Sequence, residues 1–391
     1  MSSKILIIGL GYVGLSQAIL LHKKNSIHIL DTNEEKIKLI NANKSPLNEK
    51  EYIDYFSTNK VELRGFSNKE NIDNDYSFIL ICLPTDFNHN IGKLNTSFIE
   101  NYIQYFIENT NSKIIIKSTI PIGFTESQIQ KYSTKNIAFS PEFLREGSSL
   151  RDVMDPSRVI YGPKNSCSVE FHEVLSQSLE KNNYIVRFMK SLEAEAVKLF
   201  SNTFLAMRVA FFNELDNFSI KHELDTKKII EGISDDERIG MFYNNPSFGF
   251  GGYCLPKDSK ELSNCFIKNE IPSELINSIN HSNESRKKFI ADHILKNNLR
   301  SVGIYRINMK KSSNNYRDSS SVDILKILVK EKVNVVIFEP LIEDETFEGC
   351  KVEKDLDIFK TEVELIISNR VDNKILDVKD KIFSRDIFRT D

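Results

Sequence analysis

One cysteine stands among residue types that favour chemistry over packing. Cys254 follows the glycine pair Gly251 and Gly252 in "NNPSFGFGGYCLPKDSKEL", residues 244–262, and Pro256 comes two residues later. Proline suits the first position of a helix, so we expect the thiol to come just before a helix N-terminus. The positive end of the helix dipole would favour the thiolate, which is the nucleophilic form of cysteine.

Lys257 and Asp258 continue this short motif. The lysine would add to the field that favours the thiolate. With Pro256 at the first helical position, Asp258 occupies the third, where an acidic residue commonly serves as a capping or dipole partner. Its place four residues after Cys254 equally allows it to orient a water near the thiol, and both interpretations stay open.

The alternative for any cysteine is a buried packing residue. We keep that interpretation for Cys82, Cys167, Cys265 and Cys350. The Gly, Asn, Ser and Tyr residues around Cys254 are not typical of a core, so for this thiol we favour the chemical role.

Lys198 and Asn202 form a second group of candidate residues. They are four positions apart in a predicted helix and therefore share one face. A solvated surface pair is the alternative, but the neighbours are strongly apolar, namely Val197, Leu199, Phe200 and Phe204. We expect the pair to line a cleft, where the two side chains could donate hydrogen bonds to a developing oxyanion.

Three glycines near the start form G-x-G-x-x-G, at Gly9, Gly11 and Gly14. They fall between a predicted strand and a predicted helix, where such glycines allow a tight turn, close approach of a pyrophosphate and helix packing. Alone they could mark only a tight turn, but Asp31 ends the next strand, where a ribose-binding carboxylate belongs. The sequence therefore predicts a dinucleotide site, with NAD favoured over NADP.

Two threonines follow buried strands in "CLPT" and "KSTIP". Thr85 and Thr119 would lie at the carboxyl edge of an open sheet, where ligands of α/β folds bind. Each could equally be an ordinary turn residue.

Apolar runs indicate the elements that carry these residues. The start reads strand, glycine turn, helix to about Lys24 and strand, and further buried strands are predicted in "YSFILICLP", "KIIIKST", "NIAFSPEF", "RVIYG" and "YIVRF". A long helix is predicted from Lys190 to about Ser219, and helical patterns continue to about Lys296. "SVGIYRI", "NVVIFEP" and "ELIISN" then predict a second, smaller set of strands.

The predicted fold class is α/β, with three parts. Residues 1–190 form a Rossmann-type NAD-binding domain, residues 191–290 form a long central helix with a helical dimerisation and substrate region, and residues 291–391 form a Rossmann-like α/β domain. "FLAMRVAFFNEL" in the central helix is apolar on more faces than one domain covers, which predicts a homodimer.

Composition narrows the class of partner. The 391 residues carry a net charge of -3, so no global field favours nucleic acid or an anionic membrane. The five cysteines lack any C-x-x-C, and the seven histidines lack metal-ligand spacing, so we expect neither a disulfide framework nor a bound metal. No cleavable leader is apparent, and we expect a cytoplasmic protein.

Taken together, these motifs resemble the UDP-glucose/GDP-mannose dehydrogenase family, in particular its short bacterial UDP-glucose members. The resemblance covers nearly the whole chain, through "GLGYVGL", "STIPIGFT", "SPEFLREGSSLRDVMDPSRVIYG", "EAEAVKLFSNTFLAMRVAFFNELD", "RIGMFYNNPSFGFGGYCLPKD" and "YRINMKKSSNNYRDSS". It implies oxidation of the C6 alcohol of UDP-glucose to a carboxylate with two NAD reduced.

The resemblance also implies catalytic roles. Cys254 would attack the aldehyde and pass through a thiohemiacetal and a thioester. Lys198 and Asn202 would stabilise the oxyanion, while the remaining catalytic residues, Asp258, Thr119 and Glu142, would handle water and protons.

Two sets of binding residues complete the expectation, with Arg238 supplied across a dimer interface and Arg317 lying near cofactor and substrate. The cofactor set comprises Gly9, Gly11, Tyr12, Val13, Gly14, Asp31, Lys36, Thr85, Thr119, Glu146, Lys257 and Arg317. The substrate set comprises Glu142, Phe143, Leu144, Arg145, Lys198, Asn202, Arg238, Tyr243, Asn244, Ser247, Gly251 and Lys310.

Two rival interpretations remain open. The substrate could be another nucleotide sugar, such as GDP-mannose or a UDP-N-acetylhexosamine, although the tyrosine in "GGYCLPKD" resembles the UDP-glucose branch most. The chain could instead be a catalytically silent NAD-binding regulator, against which the presence of Cys254, Lys198, Asn202 and Asp258 speaks.

Overall fold

The computed structural model describes residues 2–145, 147–181, 183–307 and 319–389. The chain divides into two compact units, residues 1–200 and 201–391, and each is described by itself.

The first unit alternates strands and helices. In chain order these are β1 (Lys4–Ile8), α1 (Tyr12–Leu21), β2 (Ser26–Leu30), α2 (Glu34–Asn41), α3 (Lys50–Thr58), β3 (Leu63–Phe66), β4 (Phe78–Ile81), β5 (Phe87–Asn88), β6 (Lys93–Leu94), α4 (Ser97–Asn109), β7 (Lys113–Ile116), α5 (Phe124–Tyr132), β8 (Ile137–Phe139), α6 (Ser149–Met154), β9 (Arg158–Tyr161), α7 (Ser166–Ser178) and β10 (Ile185–Phe188).

The main sheet of this unit is parallel, in the order β3-β2-β1-β4-β7-β8. Its central strands, "KILII", "FILI" and "KIII", are almost wholly buried, because helices cover both faces of such a sheet. The strand order reverses between β1 and β4, and the crevice at that point is where ligands of doubly wound sheets bind. The Rossmann-like fold predicted for this part of the chain is confirmed.

Some details differ from the sequence prediction. Helix α1 ends at Leu21 and not near Lys24. Strands β9 and β10 pair with each other in a separate two-stranded parallel sheet. Sequence also gave no sign of β3, "LRGF", because its charged arginine and its glycine do not form an apolar run.

A single helix crosses the boundary between the two units. Helix α8 runs over Ser191–Lys221, 31 residues, close to the predicted span. Three of its phenylalanines at seven-residue spacing, Phe204, Phe211 and Phe218, are 55%, 58% and 57% exposed. Seven residues are nearly two helical turns, so these rings form one apolar stripe.

The second unit begins with helices and ends with a sheet. Its elements are α9 (Thr226–Ser234), α10 (Cys254–Lys268), α11 (Glu274–Leu295), β11 (Ser301–Tyr305), α12 (Ser320–Lys330), β12 (Asn334–Phe338), β13 (Thr346–Phe347), β14 (Cys350–Val352), α13 (Leu356–Glu362), β15 (Leu365–Ile367) and β16 (Ile382–Phe383). The sheet order is β13-β14-β12-β11-β15-β16, parallel except for β13. This is the second α/β domain that the strand pattern predicted.

The first two strands of each sheet in chain order, β1 and β2 in one and β11 and β12 in the other, are followed by similar contacts. Asp31 comes directly after β2 and accepts a hydrogen bond from the N–H of Leu10 at 2.6 Å. Glu339 comes directly after β12 and accepts one from the N–H of Ile307 at 3.2 Å. Leu10 and Ile307 each stand two residues beyond the end of β1 and β11. In both sheets, therefore, a carboxylate after the second strand binds the backbone just beyond the first strand.

Candidate active site

The glycine motif forms the turn between β1 and α1. A Cβ at Gly14 would stand 1.9 Å from the carbonyl oxygen of Gly9, so this close packing requires glycine. A Cβ at Gly11 would meet no protein atom within 4 Å, and Gly11 is the N-cap of α1 without a side chain to cap it. The turn thus offers an open approach to a helix N-terminus, which suits a pyrophosphate.

Asp31 lies beside this turn at the end of β2. Its carboxylate accepts from the N–H groups of Leu10 at 2.6 Å and Asn33 at 2.8 Å, which fixes its orientation. Carboxylate oxygens have further lone pairs, so both can still accept from ribose hydroxyls. Lys36 donates its Nζ to the carbonyl of Leu10 at 3.1 Å and supports the same turn. These residues fit the adenosine half of a dinucleotide.

The two candidate threonines are joined directly. Thr85 is buried, and its hydroxyl donates to the carbonyl of Thr119 at 2.7 Å. They follow β4 and β7, neighbouring parallel strands whose carboxyl ends meet at one edge of the sheet. The structure therefore brings the threonines together at the edge that carries the glycine motif.

Glu142 is held from three sides within the first unit. Its Oε1 lies 2.5 Å from Lys117 Nζ and accepts from Gln17 at 2.8 Å, while Lys198 donates to its backbone carbonyl at 2.6 Å. The side chain of Lys117 is only 1% exposed, and it also reaches Ser140. Lys117 and Gln17 therefore bind the carboxylate itself, while Lys198 binds the backbone of the same residue.

The residues after Glu142 are ordered by cations. The ring of Phe143 has Arg158 4.0 Å and Lys198 5.3 Å from its centroid. Arg145 is exposed and pairs with Asp152, at 2.6 Å to Oδ1. Leu144, between them, packs on the apolar core that lies under α1.

Helix α10 begins at Cys254 itself, with Tyr253 as its N-cap residue. The prediction of a helix start at Pro256 is therefore wrong by two residues, and Asp258 stands fifth and not third. Proline is tolerated this far in because the first four N–H groups of a helix have no intrahelical partner. Cys254 occupies the first helical position and remains at the positive end of the dipole.

The five cysteines all lie within the described residues and differ sharply. Cys254 is exposed, while the other four are buried or partly buried. Burial raises the pKa of the Cys82 and Cys167 thiols to about 12, and it also raises the pKa of Cys265 and Cys350. The packing role predicted for these four agrees with their environments.

Asp258 is the centre of a buried polar group in the second unit. Its carboxylate is fully buried and accepts from Asn202 Nδ2 at 2.5 Å and from Lys257 Nζ at 2.6 Å. Burial acts to lower the pKa of Lys257, but the charges of Asp258, Cys254 and Tyr253 outweigh it and raise that pKa. Asp258 is thus not a helix cap, and its two partners leave lone pairs that a water could use.

Lys198 and Asn202 are both buried, at 9% and 8% exposure. The alternative of a solvated surface pair is therefore wrong. They occupy one face of α8, one helical turn apart.

The loop before Cys254 is more enclosed than its composition suggested. Residues 244–250 are all buried, so the premise that this loop is not core-like is wrong for them, while Gly251 is half-buried. Asn244 donates to Ser234 at 3.0 Å, and the N–H of Ser247 donates to Asn213 at 2.8 Å. The loop backbone is therefore fixed before any ligand binds.

Arg238 and Tyr243 are the exposed members of the predicted substrate set in this unit. The side chain of Arg238 is 90% exposed and pairs with Asp236, and Tyr243 has a positive φ of 50°. Between them, Arg208 donates to the carbonyls of Ile239 at 2.7 Å and of Gly240 at 2.9 Å. Three predicted residues, Glu146, Lys310 and Arg317, lie outside the described residues.

Two family models match the chain. Residues 3–179 match the NAD binding domain, and residues 192–285 the central domain, of the UDP-glucose/GDP-mannose dehydrogenase family. The UDP-glucose 6-dehydrogenase of Campylobacter jejuni is 48% identical over 394 residues, which cover 99% of this chain and 100% of the relative. The chain belongs to this family. The family resemblance read from the motifs is confirmed, and the glycine motif and Asp31 fall within the matched NAD binding domain.

A second relative and two solved structures match most of the chain. The UDP-glucose 6-dehydrogenase of Streptococcus pneumoniae is 38% identical, covering 98% of this chain and 99% of the relative. A UDP-glucose dehydrogenase structure from Pyrobaculum islandicum superimposes with a TM-score of 0.85 at 22% identity, over 94% of this chain and 90% of that one. A UDP-D-ManNAc dehydrogenase from Pyrococcus horikoshii gives 0.80 at 21% identity, over 97% and 93%. The likeness to these two structures establishes a shared fold.

Two features, a membrane-spanning helix and a metal-binding cluster, are absent from the part of the chain that the structure describes. None of its helices combines the length and apolar character needed to cross a bilayer. Its His, Cys, Asp and Glu side chains form no group of three or more that could hold a metal ion.

Sequence reasoning missed several residues that hold the site. Lys117 and Gln17 bind Glu142, and Arg208 binds the turn after Arg238. For Lys117 a signal existed, since a lysine directly after the buried run "IIIK" must find an acidic partner or reach solvent. Gln17 and Arg208 lie inside helices and carry no comparable signal.

Proposed function

We propose that this chain oxidises UDP-glucose to UDP-glucuronate in two successive NAD-dependent steps. The relatives of Campylobacter jejuni and Streptococcus pneumoniae, which match along nearly their full length, are named UDP-glucose 6-dehydrogenases. The NAD binding domain match and the fit of Gly11, Gly14 and Asp31 to a dinucleotide support the cofactor.

The observation that carries the chemistry is the position of Cys254. It is an exposed thiol at the first position of α10, four residues before the buried Asp258. A thiolate adds readily to an aldehyde, and a helix N-terminus favours the thiolate. No other cysteine of the chain combines exposure with such a place.

The reaction balances as follows. The C6 alcohol loses a hydride and a proton to give the aldehyde, and the Cys254 thiolate adds to its carbonyl carbon to give a thiohemiacetal. The thiohemiacetal loses a second hydride and the proton of its hydroxyl to give a thioester, and water cleaves its C–S bond to release the acid and the thiol. NAD held by the glycine motif and Asp31 would supply the acceptor for the hydride lost in each oxidation. The chain's own residues supply the nucleophile, stabilise the developing oxyanion and position the attacking water.

Lys198 and Asn202 are the proposed oxyanion donors. An ammonium carries three N–H donors and an amide two, so each has a donor beyond the bond it makes to Glu142 or to Asp258. Donors aimed at the position where charge develops lower the barrier to addition and to thioester cleavage.

Asp258, Glu142 and Thr119 are the proposed proton and water residues. The carboxylate of Asp258 is oriented by Asn202 and Lys257, and that of Glu142 by Lys117 and Gln17. Fixed carboxylates of this kind can hold a water in line for attack and accept its proton. We assign the binding of the nucleotide diphosphate to the loop that contains Asn244 and Ser247, because the backbone of this loop is already ordered.

Assembly, organisation and location extend the proposal. The exposed stripe of Phe204, Phe211 and Phe218 supports a homodimer through α8, in which Arg238 would reach the partner's site. Light scattering tests this, and a monomer at all working concentrations would contradict it.

The division into residues 1–190, 191–290 and 291–391 stays a prediction. Five free thiols suit the reducing cytoplasm, which we propose as the location.

An absorbance assay for NADH decides among the candidate functions. Purified protein is given NAD and, in turn, UDP-glucose, GDP-mannose and a UDP-N-acetylhexosamine. We expect two NADH per UDP-glucose and little reaction with the others. If the protein prefers another sugar nucleotide, that compound replaces UDP-glucose as the proposed substrate. If NAD is reduced with none of them, the result favours the silent NAD-binding regulator.

A further inference from the structure

The loop Asn245–Phe250 is held by side chains from elements distant in sequence. It is buried, and its backbone forms no strand or helix. Its backbone and side-chain groups are bound instead by Asn213 of α8, Asn283 and Arg286 of α11, Ser320 of α12, and Asn369, Arg370 and Asp386 of the C-terminal part. The shape of this loop therefore depends on residues outside it.

Asn283 makes the most complete of these contacts. Its side-chain amide accepts from the N–H of Phe250 at 2.8 Å and donates to the carbonyl of Phe250 at 2.8 Å. The ring of Phe250 is seated among Ala206, Ala210 and Ile279. Both the backbone and the side chain at this position are therefore fixed, four residues before Cys254.

Gly249 allows Asn283 to come this close. Its φ is +147°, and a Cβ there would stand 2.9 Å from the Asn283 oxygen and 2.8 Å from the Ser320 hydroxyl. A side chain at position 249 would push away the groups that hold the loop.

Arg286 holds the same loop at Ser247. It is 1% exposed, and its Nε donates to the carbonyl of Ser247 at 2.9 Å. Its NH2 donates to the buried carboxylate of Asp216 at 2.5 Å, and the same carboxylate also accepts from Arg385. Asn283 and Arg286 are three residues apart on α11, so both reach the loop from one helix face.

We propose that Asn283 and Arg286 are positioning residues for the sugar nucleotide. They hold the segment Ser247–Phe250 in the form that receives the nucleotide diphosphate and that leads the chain into Cys254. The inference rests on the proposed function. It assigns to α11 the control of substrate affinity without any contact of these two side chains with the reacting atoms.

The test compares four loop variants with a stability control. Asn283→Asp keeps the volume and the acceptor but loses the donor to the Phe250 carbonyl, and Asn283→Ala loses both. Arg286→Met loses the charge and its donors, whereas Arg286→Lys keeps the charge. Lys360→Met is the control, because it removes the charge of a lysine in α13 whose side chain is 9% exposed and which pairs with the exposed Asp377 at 2.7 Å. Tm, kcat and the KM values for UDP-glucose and NAD are measured for each.

We expect KM for UDP-glucose to rise about tenfold in Asn283→Asp and Asn283→Ala, since buried peptide groups lose their partners and the loop shifts. KM for NAD should stay within about twofold, because the glycine motif and Asp31 lie in the first unit. Arg286→Lys should recover part of the affinity that Arg286→Met loses. Lys360→Met should lower Tm without changing either KM.

The proposal is overturned if the loop variants lose Tm and kcat but keep the wild-type KM for UDP-glucose, which is the result of a merely structural role. A wild type that does not oxidise UDP-glucose would instead refute the proposed function. In that case the rate of Cys254 alkylation is measured. A threefold or greater decrease in Asn283→Asp supports the positioning role, and an unchanged rate refutes it.

Discussion

Asn202 and Asp258 are joined by a hydrogen bond of 2.5 Å, although 56 positions separate them in sequence. The bond aims a fully buried carboxylate one helical turn beyond the exposed thiol of Cys254. The amide, together with Lys257, thus orients Asp258, and two side chains to which the sequence assigned separate roles contact each other directly.

Asp258→Asn should slow the last step of the reaction. The amide keeps the volume but cannot accept a proton from water, so we expect kcat to fall about 100-fold. The thioester should accumulate, and intact-protein mass spectrometry after a quench should detect the sugar adduct. Asp235→Asn, an exposed acid at the end of α9, is the control. A fall in kcat without any adduct would assign Asp258 to another step.

Cys254→Ala should abolish UDP-glucuronate formation while UDP-glucose and NAD still bind. Cys254→Ser should be nearly as poor, because an unactivated hydroxyl is a weak nucleophile and its ester is a sluggish intermediate. Product is measured by chromatography and binding by calorimetry. Near wild-type acid production in Cys254→Ala would refute the covalent assignment, and Cys265→Ala serves as the matched cysteine control.

Iodoacetamide should modify Cys254 before the other four cysteines. Cys82, Cys167 and Cys350 are buried, and Cys265 is partly buried. Burial raises the pKa of each of these four thiols, so they are almost entirely protonated at neutral pH. Peptide mass spectrometry gives the order of labelling, and UDP-glucose should protect Cys254. First labelling at Cys265 together with loss of activity would contradict the assignment.

Asp31→Ala should lower the preference for NAD over NADP. The ribose loses an acceptor, and a 2′-phosphate no longer meets a negative charge. We expect kcat/KM for NAD to fall at least about tenfold while that for NADP changes little. Glu34→Ala, in the first turn of α2, is the nearby acidic control. Equal efficiency of the wild type with both cofactors would remove the basis of the prediction.

The stability of the second unit should depend on Asp216 in a pH-dependent way. Burial alone would raise its pKa, but the hydrogen bonds and charges of Arg385 and Arg286 hold it below the usual 3.8. Burial in turn lowers the pKa of Arg286 to about 10, so the guanidinium is still charged at pH 7. One carboxylate shared by two arginines strongly favours its ionised form.

Because the folded-state pKa of Asp216 is depressed, its contribution is complete above about pH 4 and is lost as the pH falls through the folded-state pKa. Asp216→Asn should destabilise the protein by about 3 kcal/mol at pH 7, and the difference from wild type should shrink below about pH 4. Urea unfolding measures it. Asp155→Asn, from an exposed pair with Lys181, should cost less than about 1 kcal/mol. A difference that did not depend on pH would exclude the ion cluster as its source.

The central strands of both sheets could be predicted because each of these buried parallel strands is a short apolar run. Strand "KIII" and helix α8 fall where the sequence placed them. The start of α10 could not be fixed, since proline is tolerated throughout the first turn of a helix and does not mark one position. Strand β3 was missed because its pairing with β2, and not its composition, makes it a strand.

The candidate site was predictable where a residue type itself carries the chemistry, as with Cys254 and Asp31. The burial of residues 244–250 was not predictable, because Asn283, Ser320 and Asn369 supply the partners of this polar loop from far along the chain. The orientation of Glu142 likewise depends on Lys117 and Gln17, which come together only when the first unit folds.

The matching carboxylates Asp31 and Glu339 have a consequence for the order of events. Each accepts a hydrogen bond from the N–H two residues beyond the first strand of its own sheet, yet the G-x-G-x-x-G motif occurs once in the sequence, and no glycine stands between Gly303 and Gly349. Glycines of this kind favour the close approach of a pyrophosphate, so we expect one chain to hold one dinucleotide at a time. A four-electron oxidation then requires spent cofactor to leave and fresh cofactor to enter midway, and the half-oxidised sugar must outlast that exchange.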